Sequence, residues 1–219
     1  MKKLLKLVFL MTTLSVFVVG CAEVKPYDYT ALKKSKPRSI LVIPPRNNSI
    51  EVEAPYIYLS TLTKPLTEKG YYVFPVAVID KFLKENGLPT PAEMNGISLE
   101  KIDKHIGADT VLYVDIKEFG QKFLIFSSQS IVHATLKLVD VKTGELLWES
   151  IASAVYNPSG NNNNAGSPVA TLLAQLISAA ITQAVDSNMP ITSRIANIRA
   201  INNKATGLLD GPYKVLPTK

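Results

Sequence analysis

Cys21 is the residue in this 219-residue chain whose type and setting point most directly to chemistry. A cysteine acts through its thiolate, which is both a nucleophile and a metal ligand. It is the single cysteine of the sequence, so no intrachain disulfide or multi-thiolate metal site can be built. The residues before it are patterned. Residues 1–6 carry Lys2, Lys3 and Lys6 and no acid; residues 7–19 are apolar apart from Thr12, Thr13 and Ser15; Gly20 then sets a small residue before the thiol. A basic start, an apolar run of about 7–15 residues and a small-residue cleavage point define a secretory signal. The run falls short of the ~20 residues that a membrane-spanning helix needs. The alternative is an uncleaved N-terminal anchor carrying an ordinary cysteine.

The closing residues Val18-Val19-Gly20-Cys21 resemble the lipobox of bacterial lipoproteins, with valine where that pattern prefers leucine. The resemblance implies lipid attachment to the Cys21 thiol, cleavage between Gly20 and Cys21, and acylation of the new amine. Two or three acyl chains anchor a protein stably, whereas one binds only marginally. Ala22 follows the cysteine. Aspartate there implies inner-membrane retention in many diderm bacteria, so alanine points to the outer membrane, with the domain facing the periplasm or exposed at the surface.

The remaining candidates for chemistry are His105, His133, Asp103, Asp109 and Asp115. They fall on different expected elements, and the histidines read as structural or solvated. The sequence carries no nucleophile elbow, glycine-rich phosphate loop or paired-histidine metal motif. The chain is therefore read as non-enzymatic, with no catalytic residues, cofactor or metal. Removing 20 signal residues leaves 199, enough for one domain with an ordinary core. Without the three signal lysines, 21 basic residues face 18 acidic ones, a net charge of +3. That balance is not a nucleic-acid signature.

Residues 21–38 read as a lipidated, flexible tether. Lys25, Lys33, Lys34, Lys36 and Arg38 outweigh Glu23 and Asp28, and Pro26 and Pro37 interrupt it. Such a segment is either a solvated linker or one held to anionic headgroups at about 1 kcal/mol per charge. As a flexible coil it reaches roughly 20–25 Å.

One α/β domain is expected over 39–205. The run 39–43 reads as a buried first strand halted by Pro44 and Pro45, with a polar loop at 45–49. A helix is expected over 54–69, kinked or broken at Pro65 and ended by Gly70. A strand at 71–74, a helix at 78–85 and a proline-rich connection at 88–91 follow. Ser98 caps a helix over 99–106, and Thr110 opens a strand that runs to 116. Residues 130–141 alternate around Val132, Ala134, Leu136 and Leu138, with His133, Thr135 and Lys137 on the other face. The turn 142–145 then returns the chain as a partner strand over 146–156. Asn161 to Asn164 mark an exposed loop. A helix from Pro168 to about Asp186 carries one polar stripe through Thr171, Gln175, Ser178, Thr182 and Asp186. Core packing explains that helix better than a partner groove or membrane insertion. Ile191, Ile195, Ile198 and Ile201 mark the apolar face of a last helix, and 206–219 reads as an irregular tail.

The strand Ser39 to Ile43 with Pro44-Pro45 and Asn47-Asn48-Ser49, preceded by Tyr27-Asp28-Tyr29, resembles the opening of a family of bacterial outer-membrane lipoproteins without an assigned function. Gly107-Ala108-Asp109 before a strand, and the hairpin from Asp140 to Trp148, resemble the wider group with a TolB amino-terminal-like domain, which includes CsgG and LpoB. The resemblance implies an α/β fold with helices on a mixed, mainly antiparallel sheet. These motifs specify a fold and no chemistry, and a shared fold does not transfer an activity. The reading is a lipoprotein held to the membrane through Cys21, acting as an accessory or assembly subunit of an envelope complex with a protein partner. Alternatives are a subunit of a CsgG-like oligomeric secretion assembly and a small-molecule-binding lipoprotein. A homo-oligomer stays open.

Overall fold

The computed structural model describes residues 26–124, 127–157 and 188–215. Helix α1 (Thr30–Ser35) leads into β1 (Ser39–Val42), β2 (Arg46–Asn47), α2 (Ala54–Leu59), α3 (Thr63–Glu68) and β3 (Tyr72–Val73). Helices α4 (Val76–Glu85), α5 (Pro91–Met94) and α6 (Leu99–His105) follow, then strands β4 (Thr110–Leu124), β5 (Ser127–Asp140) and β6 (Leu146–Tyr156), and α7 (Met189–Ile201). The sheet order is β3-β1-β4-β5-β6, with β2 also beside β4. The short strands β1, β2 and β3 pair parallel, whereas the long β4, β5 and β6 form an antiparallel meander. The fold is thus α/β, with helices on a mixed, mainly antiparallel sheet.

After Ser39, β1 is apolar because it is buried on both faces. Ile40 and Val42 point into the larger core with α1, α2, α3 and α7; Leu41 and Ile43 point into a smaller core with α4, α5 and α6. Pro44 and Pro45 have no N–H to give the ladder, so pairing with β4 halts there and resumes at β2. The expected polar loop at 45–49 is therefore partly a strand, because Arg46 and Asn47 pair with Asp115 and Ile116.

The expected helix over 54–69 is broken, but ahead of Pro65. Residues 60–62 separate the two helices, and Pro65 sits in the first turn of α3, where its missing N–H costs no intrahelical bond. The connection at 88–91 ends in a helix that composition hides. Thr90 Oγ1 accepts from Glu93 N, and the Glu93 carboxylate accepts from Thr90 N, a complete capping box. Ser98 caps α6 as expected, accepting from Lys101 N.

The alternation on β5 holds, with Val132, Ala134, Leu136 and Leu138 fully buried. β4 runs on to residue 124, past the expected end at 116. A bulge between Ile116 and Glu118 shifts its register by one residue. That shift moves Phe119 onto the same core face as Leu112, Val114 and Ile116.

Two boundaries are corrected. The segment expected as tether belongs to the fold from Tyr27 onward, because Leu32 is 3% exposed and Tyr27, Tyr29 and Ala31 pack on the larger core. The tail is irregular but pinned, since Trp148 Nε1 donates to Thr206 O at 2.8 Å and Tyr71 Oη donates to Leu209 O at 3.0 Å. The tail also passes close over Gly70 (φ +88°), where a Cβ would come within 2.3 Å of Lys214 N. The asparagine run 161–164 and the expected helix through Gln175 lie outside the described residues. No helix among the described residues is long and apolar enough to cross a membrane.

Candidate functional site

The candidate site is the end of the domain where the chain arrives from Cys21. Gly20 and Cys21 lie outside the described residues, which begin at Pro26. Two tyrosines fasten the arriving chain to different parts of the domain. Tyr27 Oη accepts from Glu149 N on β6 at 2.7 Å, and Tyr29 Oη donates to Gly207 O of the tail at 2.6 Å. Their rings lie 4.7 Å apart, tilted by 48°. Burial raises the Tyr29 phenol above its ordinary pKa, and neighbouring Tyr27 adds to this. Tyr29 therefore remains a neutral hydrogen-bonding group near neutral pH.

Helix α1 follows at once. Thr30 N donates to Asp28 Oδ1 at 2.9 Å, and Leu32 turns inward. Lys36 ends the helix in the left-handed region (φ 50°), its N–H donating to Leu32 O. At the inner end Ser35 Oγ donates to Asp140 Oδ2 at 2.6 Å, which ties α1 to the β5–β6 turn. Asp140 also accepts from Lys142 N, Thr143 N and Thr143 Oγ1. Partial burial works to raise its pKa, but these donors prevail and hold the carboxyl below the usual aspartate value.

The five ionisable candidates do not converge. Asp103 and His105 are exposed on α6; His105 lines a cleft of about 420 Å³ with Lys101, Phe82 and Leu88. Asp109 is committed to the backbone: its Oδ2 accepts from Arg38 N at 2.9 Å and from Ser39 N and Ser39 Oγ at 3.0 Å. It thereby fixes the start of β1 against the start of β4. Asp115 lies on β4, 3.9 Å from Lys117 Nζ, and His133 is half-buried on β5 between Glu118 and Ser153 of the flanking strands. No cluster of three metal-ligating side chains occurs among the described residues. The arrangement can hold a backbone and present a surface; it does not gather a proton donor, acceptor and nucleophile around one point.

Sequence reasoning missed the contact between the two ends of the chain. Arg38 Nε and Nη2 donate to Tyr213 Oη at 3.0 and 2.7 Å, with the guanidinium 5.5 Å from the ring centroid. Gly211 N donates to Lys69 O and Tyr213 N to Gly70 O. α1 and the tail thereby flank a cleft of about 370 Å³ lined by Leu32, Lys33, Lys36, Tyr71 and Asp210. Burial, helped by Asp210, pushes the Tyr71 phenol up to about 12. The only local signals for this contact were the repeated tyrosines before residue 30 and the glycines at 207 and 211.

Comparison with known proteins places this geometry among lipoproteins. The family model described as Putative lipoprotein GNA1162-like matches residues 27–213. Putative lipoprotein NMB1124/NMB1162 of Neisseria meningitidis serogroup B is 37% identical over 190 residues, 85% of each chain. The crystal structure of lipoprotein GNA1162 from Neisseria meningitidis is similar with a TM-score of 0.54 and 38% identity, covering 69% of this chain and all of that one. The LpoB C-terminal domain from Salmonella enterica is a looser likeness, with a TM-score of 0.37 and 20% identity, covering 58% of this chain and 98% of that domain.

Proposed function

Because the chain belongs to the GNA1162-like lipoprotein family, we propose that Cys21 is its lipidated first mature residue and that it serves, without catalysis, as an accessory or assembly subunit of an envelope complex. The observation that carries this reading is the short sequence distance from Cys21 to Tyr27, which packs on the larger core. The family match begins at Tyr27, six residues after the only cysteine. Six extended residues span at most about 20 Å, so acylation of Cys21 would hold the domain directly against its membrane. A protein confined to that layer meets partners there at high effective concentration. Ala22, in place of the aspartate that signals inner-membrane retention, supports the outer membrane.

Lipidation is tested by metabolic labelling with an alkynyl fatty acid. The wild-type chain is expected to take the label and to run as a processed protein. Cys21→Ser removes the sole thiol and is expected to stay an unlabelled precursor. Equal labelling of both forms would refute the anchor.

A further inference from the structure

We infer that the face formed by α1 and the C-terminal tail is a docking surface for anionic phospholipid headgroups of the membrane that holds the anchor. The inference rests on the anchoring of Cys21 proposed above and adds the orientation of the domain on the bilayer.

Helix α1 is ordered because Leu32 is buried, which leaves Lys33, Lys34 and Lys36 exposed. The tail brings Lys214, Tyr213 and Val215 to the same end, through the stacking of Arg38 on Tyr213 and the cleft shared by Lys33, Lys36 and residues 210–212. Two of the acids nearby pair with other lysines, and Asp28 and Asp140 accept hydrogen bonds from Thr30 N and Ser35 Oγ. Asp210 lies 3.5 Å from Lys69 and Glu68 lies 3.8 Å from Lys64. The face therefore keeps an excess of positive charge, although the mature chain as a whole carries only +3.

Its apolar members fit an interface as well. Tyr213 is 50% and Val215 85% exposed. Aromatic residues settle at headgroup depth, and basic side chains beside them attract anionic lipid. Chain length selects this occupant. Lys33 lies twelve residues beyond the proposed acylated cysteine, and at most about 20 Å of extended chain separates that cysteine from Tyr27.

Lysine footprinting tests the proposal. The mature chain, made without lipid, is coupled through the Cys21 thiol to a maleimide lipid. The vesicles are either phosphatidylcholine alone or phosphatidylcholine with phosphatidylglycerol. Amine acetylation is then read residue by residue by mass spectrometry. Lys33, Lys36 and Lys214 are expected to be protected about fivefold on the anionic vesicles, the effect of one favourable surface charge. Lys81 and Lys101, on helices of the opposite layer, are expected to react equally on both. High salt should erase the difference, as should Lys33→Glu with Lys36→Glu read at Lys214. Equal reactivity of Lys33, Lys36 and Lys214 on the two vesicles, or equal protection of every lysine, would overturn the docking face. Since the maleimide supplies the anchor, that failure is separate from a failure of Cys21 to take fatty acid in cells.

Discussion

At the scale of single residues, the best-defined chemistry in the described domain is structural. Tyr58 Oη donates to Asn197 Oδ1 at 2.5 Å, and Asn197 Nδ2 donates to Thr61 Oγ1 at 2.9 Å, all three residues being buried. This joins α7 to the end of α2 by groups that water cannot reach. Burial raises the Tyr58 phenol far above its ordinary value, so it acts as a fixed donor. Asn197→Ala strands the buried Tyr58 hydroxyl, while Thr61 Oγ1 keeps its hydrogen bond to Tyr58 O, and is expected to cost about 1–3 kcal/mol in a urea-unfolding measurement. Asp140 makes a second prediction. Its folded pKa is lowered, so the unfolded chain binds a proton more readily. Its contribution is complete above the ordinary carboxylate pKa of about 3.9 and is lost as pH falls through the lower folded value. Asp140→Asn should therefore destabilise the protein at pH 7 and flatten the acid limb of its stability profile. An unchanged acid limb would show that the Ser35 contact carries no linkage.

At the scale of elements, α1 is the decisive case. It is a single short helix, and an isolated helix of this length does not persist in water. It forms because the sheet and tail offer Leu32 a cavity and the two tyrosines hydrogen-bond partners. Burying one leucine side chain is worth about 1.5–3 kcal/mol. Each kcal/mol shifts the melting temperature of a domain of this size by roughly 2–4 °C. A chain starting at Ser39 is therefore expected to melt about 3–12 °C below one starting at Pro26. Equal melting temperatures by circular dichroism would return residues 27–38 to the status of a linker.

At the scale of the whole molecule, position relative to the membrane is expected to matter more than any ionisable group. Asp109 holds backbone, Asp115 faces Lys117, and Asp103, His105 and His133 stand apart. Alanine at any of the five, provided the variant folds, should complement a deletion strain, whereas loss of a general base costs about 10²–10⁴ in rate. A form released by a cleavable signal without Cys21 should fail to complement. A folded alanine variant that loses function, beside a released form that keeps it, would point to a soluble enzyme or binding protein. Local features of this chain were legible from residue order alone. The alternation of Val132 to Leu138 gave the core face of β5, and Gly144 with its polar neighbours gave the hairpin, because side-chain period and positive φ are properties of neighbouring residues. What depended on distant partners could not be read this way. Lysines around Leu32 made α1 look like solvated tether, and only packing against a remote core reveals which side is buried. The bulge that returns Phe119 to the core is set by the register with β5, and the basic face exists because Arg38 meets Tyr213, 175 residues away. Short-range sterics write themselves into the order of residues, whereas contacts between the two ends of a chain arise only when the whole core closes.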